Sequence, residues 1–240
     1  MKNNIMADGA VNSHAGPGAI DAVAFDLDGT LYPNYRLNLL LLPFILKEWR
    51  FLRALGMARN RIRALQEERE SPGGADFYDT QAALMAEILG SGDALRVREK
   101  METLVYRGWE PLFRKIRPFP HVEETLRALK GAGFPLALLS DFPPKRKLAN
   151  MGLGGFWELV LCTEEEGRLK PDPAPFALLS EKLKIPAGRI LYVGNSAAYD
   201  VRGAKRAGMR AAFMGPRLFS PPEADFCFHD YRQLLKYVIN

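Results

Sequence analysis

From residue 19 onward the apolar positions follow two rhythms. Short unbroken apolar runs at 22–25, 135–139, 159–161, 190–193, 211–214 and 226–228 have the length of buried strands. Between them lie stretches with apolar residues three and four apart, as in helices that cover one face. These are 122–130, 175–183, 200–206 and 231–238, with a further helix starting at Pro143-Pro144 and stopping near Gly152. Gly131, Gly133 and Gly208 close their helices. Strands alternating with helices predict an α/β fold: a doubly wound, mainly parallel, Rossmann-like sheet.

One long stretch breaks the alternation. Between Pro33 and Pro118 no strand pattern of any length occurs. Leu39, Leu42, Ile45, Leu46 and Trp49 fall at helical spacing, with Pro43 marking a kink or the true start. Further helices are expected at 58–70, 78–89 and 94–108, and Ser71-Pro72-Gly73-Gly74 breaks the first of these. The predicted organisation is a disordered tail at 1–18, an α/β core at 19–33 and 118–240, and an inserted all-helical cap at 34–117. Hinges are expected near 31–34 and 117–120.

Composition alters this picture little. A chain of 240 residues, 48% hydrophobic and 25% charged, suits an ordinary globular protein. The net charge of +5 lies mostly in the helical stretch, which holds four more Lys and Arg than Asp and Glu. Arg50, Arg53, Arg59, Arg61 and Arg63 read as a solvated helix face in preference to a phosphate-attracting one. Glu67, Glu68 and Glu70 follow at once, so no nucleic-acid partner is expected. The apolar run 37–46 contains Asn38 and Pro43 and is too short to span a bilayer, so no membrane partner is expected. The N-terminus lacks the apolar centre of a secretory signal. Cys162 and Cys227, in apolar surroundings, read as small core residues in a reducing compartment. The expected location is cytoplasmic.

Candidate chemistry sits at the ends of the predicted strands. The first delivers Asp26 and Asp28 with Gly29-Thr30 behind them, the second Ser140 and Asp141, and the fourth Asn195-Ser196 with Asp200 just beyond. A loop adds Lys170. Each has a plain reading: Asp-Gly as a turn, Ser140 and Asp200 as helix caps, Lys170 as a solvated lysine. Their joint placement favours function, because parallel strands present their carboxyl ends along one edge. Two neighbouring carboxylates are costly without a cation. The set suits phosphoryl transfer. Asp26 can attack phosphorus, and Asp28 can protonate the leaving oxygen and then activate water. Ser140, the amides after its strand at Asp141, and Lys170 can hold phosphate oxygens. Asp26, the Asp28 carbonyl, Asn195 and Asp200 are oxygen donors of the kind Mg²⁺ takes.

The motifs resemble those of haloacid dehalogenase-superfamily hydrolases with a small helical cap. They are Asp26-Leu27-Asp28-Gly29-Thr30, Leu138-Leu139-Ser140, Lys170-Pro171-Asp172-Pro173, and Val193-Gly194-Asn195-Ser196 through Asp200, followed by Gly203-Ala204 and Ala207-Gly208. The resemblance implies Asp26 as nucleophile, Asp28 as general acid and base, Ser140 and Lys170 as phosphate and nucleophile partners, and Mg²⁺ as cofactor. It also implies a cap that shields the site and selects substrates. The family's dehalogenases lack an acid at the position of Asp28. A phosphatase acting on a small phosphorylated metabolite is therefore the reading, with a sugar phosphomutase as an alternative. One departure stands out: the fourth motif carries Asn195 where relatives have Asp. That opens a further alternative, a binding or regulatory protein with weakened catalysis. Asp141, where many relatives have Asn, is a candidate to restore the missing charge.

Overall fold

The computed structural model describes residues 19–68 and 76–240. The tail expected to be disordered lies outside them. Six strands form one parallel sheet: β1 (Ala22–Phe25), β2 (Leu136–Ser140), β3 (Leu159–Cys162), β4 (Ile190–Gly194), β5 (Arg210–Met214) and β6 (Phe226–Phe228), in the order β3-β2-β1-β4-β5-β6. The predicted strands differ from these by a residue at most.

Alternation along each strand builds two apolar layers. Val23, Phe25, Leu136, Leu138, Leu191 and Val193 point to one face of the sheet. There they meet Leu126 and Leu129 of α4 (Val122–Gly131), Leu148 of α5 (Lys145–Asn150) and Leu234 of α8 (Tyr231–Ile239). Ala22, Ala24, Ala137, Leu139, Ile190 and Tyr192 point to the other. They pack on Phe176 and Leu179 of α6 (Pro173–Leu183) and Ala204 of α7 (Arg202–Arg206). Both faces are covered, so the strands are apolar between their ends, as a doubly wound sheet requires, with Ser140 and Arg210 at strand termini. The first two strands of the chain lie side by side, and the fourth pairs with β1 on its other edge. The order of connection reverses there, which opens a crevice at the carboxyl ends of β1, β2 and β4.

Between β1 and β2 the described chain is helical. Helix α1 runs from Asn34 to Glu67 as two helices joined across a kink, so the two that the pattern predicted are present with no loop between them. Pro43 lies inside it and is exposed, on a side where water can replace the N–H that proline lacks. The departure from helical geometry comes later, at Glu48 (φ −117°, ψ 25°). α2 (Phe77–Leu89) starts on Asp76, whose side chain accepts from the N–H groups of Tyr78 and Asp79, and ends on Gly90 in the left-handed region. α3 (Ala94–Met101) continues into a π-turn, Glu102–Tyr106.

Packing divides this helical segment unevenly. Phe51, Ala54, Leu55 and Ala58 of α1 form an apolar cluster with Met85 and Ala86 of α2 and Val97 and Met101 of α3. The segment's two ends join the core of the sheet instead. Leu37 and Leu40 pack against that core, and Phe113 and Ile116 are buried within it. No described helix is long and apolar enough to cross a membrane.

Candidate active site

β1 stops at Phe25, and the Asp26 N–H still donates to Val193 O at 2.9 Å, so Asp26 sits at the strand tip. The chain then turns through Gly29, at φ +91°. A side chain at Gly29 would collide with those of Asn195 and Asn34. The turn therefore lets the loop after β4 close over the loop after β1. Gly194 has a similar part: a side chain there would run into the Asp200 carboxylate.

Lys170 joins the strand tips. Its Nζ donates to Asp26 Oδ1 at 2.6 Å and Asp200 Oδ1 at 2.7 Å, with Tyr192 Oη at 3.3 Å. All three charged groups are buried: Lys170 is 3%, Asp26 5% and Asp200 2% exposed. Burial alone would pull the lysine down, but Asp200 and Asp26 outweigh it and keep the ammonium charged. Burial pushes the Asp26 carboxyl up to about 7 against the pull of Lys170, with Asp200 and Asp28 adding to the rise. Thr30 Oγ1 lies 2.8 Å from Asp26 Oδ2 and 3.2 Å from Asn195 Oδ1, so one hydroxyl serves either acceptor. Asp200 is not the helix cap of its plain reading. Ser196 is, accepting from the Tyr199 N–H, while Asp200 Oδ2 accepts from the Ser196 N–H at 3.0 Å.

Asp28 has its own supports. Lys147 Nζ lies 2.9 Å and 2.8 Å from its two oxygens, and the Tyr32 hydroxyl donates to Oδ1. The Lys147 ammonium sits 5.1 Å from the Phe113 ring centre and 5.2 Å from that of Phe142. Neither Lys147 nor Tyr32 is marked by a local pattern. Lys147 lies in a basic cluster, 145–147, on a short helix, and meets Asp28 only because α5 follows β2 in the sheet.

Ser140 is fully buried, and its Oγ accepts from the Phe142 N–H at 3.3 Å. The Asp141 side chain is engaged elsewhere. Its Oδ1 accepts from Thr163 Oγ1 at 2.7 Å and the Lys170 N–H at 3.2 Å. Its Oδ2 faces Arg63 at 2.9 Å and Arg59 at 3.4 Å. Burial pushes this carboxyl up, but Lys170, Arg59 and Arg63 outweigh it and hold it below its ordinary value. Asp141, the candidate to make up for Asn195, thus lines the cavity while pairing with Thr163, the Lys170 N–H, Arg63 and Arg59.

The arginines need a correction. Arg50, Arg53 and Arg61 are exposed, but Arg59 is 5% exposed and ion-paired with buried Glu164, and Arg63 donates to the Lys170 carbonyl at 2.8 Å. The two lie one turn apart on α1, on the side turned to the loops after β2 and β3. Burial pushes Glu164 up to about 7 although Arg59 pulls it down. A carboxyl higher in the folded than in the unfolded chain binds more protons when folded, so its stabilising share is lost as pH rises. The melting temperature is therefore expected to fall between about pH 4.5 and 7, with Asp26 adding in the same direction. Glu164→Gln should flatten part of that fall in thermal scans across the window; an unchanged slope would refute the assignment.

These groups surround a cavity of about 440 Å³. Asp26, Asp28, Lys147, Lys170, Asn195 and Asp200 line its base, with Asn34, Leu37, Asn38 and Trp109 of the helical segment opposite. Trp109 Nε1 is buried there with no hydrogen-bond partner. A larger hollow of about 670 Å³ lies among α2, α3 and the π-turn, but holds none of these groups. The carboxylates, the Asn195 amide oxygen and the Asp28 carbonyl form an all-oxygen donor set, which suits a hard divalent cation. Among the described residues no three His, Cys, Asp or Glu side chains cluster as a metal site; Lys170 pairs with both Asp26 and Asp200, and position 195 is an amide.

Comparison with known proteins agrees with this geometry. A family model for haloacid dehalogenase-like hydrolases matches residues 20–208. The 5-amino-6-(5-phospho-D-ribitylamino)uracil phosphatase YigB of Escherichia coli is 30% identical over 219 residues, covering 83% of this chain and 85% of the relative. A glyceraldehyde 3-phosphate phosphatase of Methanopyrus kandleri is 30% identical over 206 residues, covering 79% and 82%. Among solved structures, a HAD phosphatase from Thermococcus onnurineus aligns with a TM-score of 0.62 at 25% identity, across 92% of this chain and 98% of that one. An L-2-haloacid dehalogenase, at a TM-score of 0.65 and 22% identity across 92% and 100%, shares the fold.

Proposed function

We propose that this chain, which belongs to the haloacid dehalogenase-like hydrolase family and is a phosphatase, hydrolyses small phosphorylated metabolites through an aspartyl-phosphate formed on Asp26. One observation carries the reading. Two carboxylates meet in one cavity with different partners, Asp26 against Lys170 and Asp28 against Lys147 and Tyr32. A carboxylate oxygen of Asp26 attacks phosphorus, and the bond to the ester oxygen breaks as that oxygen takes the proton of Asp28. Asp28 then accepts a proton from the water that attacks the acyl phosphate, which frees inorganic phosphate and restores Asp26. Lys170 balances charge on Asp26. Ser140, the amide of Asp141 and Lys170 are the proposed phosphate-binding groups. Asp26, the Asp28 carbonyl, Asn195 and Asp200 are the proposed holders of Mg²⁺, which when bound would offset the phosphate charge. Residues 34–117 are proposed to act as the cap, since Asn34, Leu37, Asn38 and Trp109 form the wall opposite the carboxylates.

The test is phosphate release from p-nitrophenyl phosphate and a panel of phosphorylated metabolites, with Mg²⁺ and with EDTA. The panel includes glyceraldehyde 3-phosphate and the phosphoribitylamino-uracil on which the named relatives act. Mg²⁺-dependent release supports the reading; none from any ester at millimolar Mg²⁺ would leave a phosphatase fold without the chemistry. Asn195 bears on the metal. An amide oxygen brings no charge, so Asn195→Asp is expected to lower the Mg²⁺ concentration for half-maximal activity several-fold. Asp141→Asn is expected to leave it unmoved, because its carboxylate is held by Thr163 and the two arginines. A shift in the second variant and none in the first would reverse the assignment.

A further inference from the structure

The outward side of α1 has no partner in the described protein. Of the ten residues 37–46, eight are apolar, yet only Leu41 is buried. Helix α1 meets the cluster it shares with α2 only from Phe51 onward. Before that point Tyr35, Leu39, Leu42, Leu46 and Trp49 are 59%, 66%, 48%, 70% and 54% exposed. Single exposed leucines are ordinary on a protein surface, but a contiguous row of large apolar side chains is not.

The spacing says what fits there. The positions alternate four and three apart, the 3.5-residue repeat of helices that pair along a seam. Tyr35, Leu39, Leu42 and Leu46 fall within about 60° of one another around an ideal helix. Here Asn38 and Lys47, both exposed, and Arg36 border the seam. The five side chains offer roughly 600 Å², and Pro43 and Ile45 on the shoulders bring the face close to the ~800 Å² that each partner contributes to a standard stable interface.

We propose that this seam is a homodimer interface, covered by the same seam of a second copy of this chain. A patch of this kind is self-complementary about a two-fold axis. With the helices antiparallel, leucines meet leucines near Leu42, and the aromatic ends, Tyr35 and Trp49, cover one another across the pair. The neighbouring side of the same turns lines the catalytic cavity with Asn34, Leu37 and Asn38, so pairing braces the helix that lines the site.

Light scattering and sedimentation of the full chain test this. The wild type is expected at twice the chain mass of 26.9 kDa at low micromolar concentration. Leu39→Glu/Leu46→Glu is expected at the single mass with an unchanged circular dichroism spectrum, since both positions are solvent-exposed in the single chain. Leu42→Cys, near the axis, should link two copies under mild oxidation while the wild type does not. That variant also keeps the test decisive should the double glutamate variant fail to fold. A wild type that stays monomeric at 100 µM, a dimer that survives both glutamates, or no cross-link from Leu42→Cys would each overturn the proposal. So would a monomer that floats with phosphatidylglycerol vesicles, which would assign the seam to a lipid surface.

Discussion

Asp26→Asn is expected to lower phosphatase turnover by at least about a thousandfold, the scale seen when a covalent nucleophile is removed. The exchange keeps size and shape, so the loss would fall on chemistry. Asp26 is buried at the tip of β1, its backbone held by Val193, one oxygen on Lys170 and the other beside Thr30. The amide still accepts from Lys170 through its oxygen, and Asp200 still pairs with the ammonium, so the strand tips stay joined. Circular dichroism and thermal scans should therefore match the wild type to within a few degrees. Deamidation would regenerate aspartate, so mass spectrometry must accompany the assay. More than a few per cent of wild-type turnover in a preparation of Asp26→Asn shown to be free of deamidation would exclude the covalent route. A variant that is both inactive and unfolded would leave Lys170→Met, with Asp26 retained, as the second probe of the same step.

The framework of this site is legible in the sequence because it is built from strand ends. A strand buried on both faces must be apolar in its interior, so the first polar or charged residues after each run mark its tip; Asp26, Asp141 and Asn195 fall at or beside such tips. Parallel order then brings the tips together whatever their separation along the chain. Side-chain pairing is less legible. Lys170 is an ordinary loop lysine in the linear pattern, and its burial between Asp26 and Asp200 depends on where α6 carries the loop. Arg59 and Arg63 share one face of α1 and exposed Arg61 lies on another, but the spacing does not say which face is covered. Whether such a residue faces solvent or a neighbour is set by the loops packed against α1, which periodicity within α1 does not contain. Pro43 misleads for a related reason: a proline interrupts a helix in isolation, but here the helix is held by packing on either side, by Leu37 and Leu40 before it and Phe51 after.

Asp28→Asn and Lys147→Met are expected to share a dependence on the leaving group. An alkyl alkoxide is a poor leaving group and needs the proton of Asp28, whereas p-nitrophenolate departs with little help. Asp28→Asn should therefore lower kcat/KM on alkyl phosphates by about a hundredfold to ten-thousandfold, the usual share of general acid catalysis. On p-nitrophenyl phosphate the first step should survive and the second, which needs Asp28 as base, should not. The signature is a burst of nitrophenolate equal to the enzyme, followed by slow turnover. Lys147 touches both Asp28 oxygens and sits against Phe113 and Phe142, so methionine keeps the packing and removes the ion pair. Held then by Tyr32 alone, the carboxylate loses its fixed orientation. The expected loss is smaller, about tenfold to a hundredfold on alkyl phosphates, with little on the aryl ester and partial recovery in Lys147→Arg. Lys147 would thus be a positioning residue, acting through Asp28. Equal losses on both esters would place it instead on the phosphate or in the fold, and a loss on neither would leave Tyr32 as the group that sets the acid.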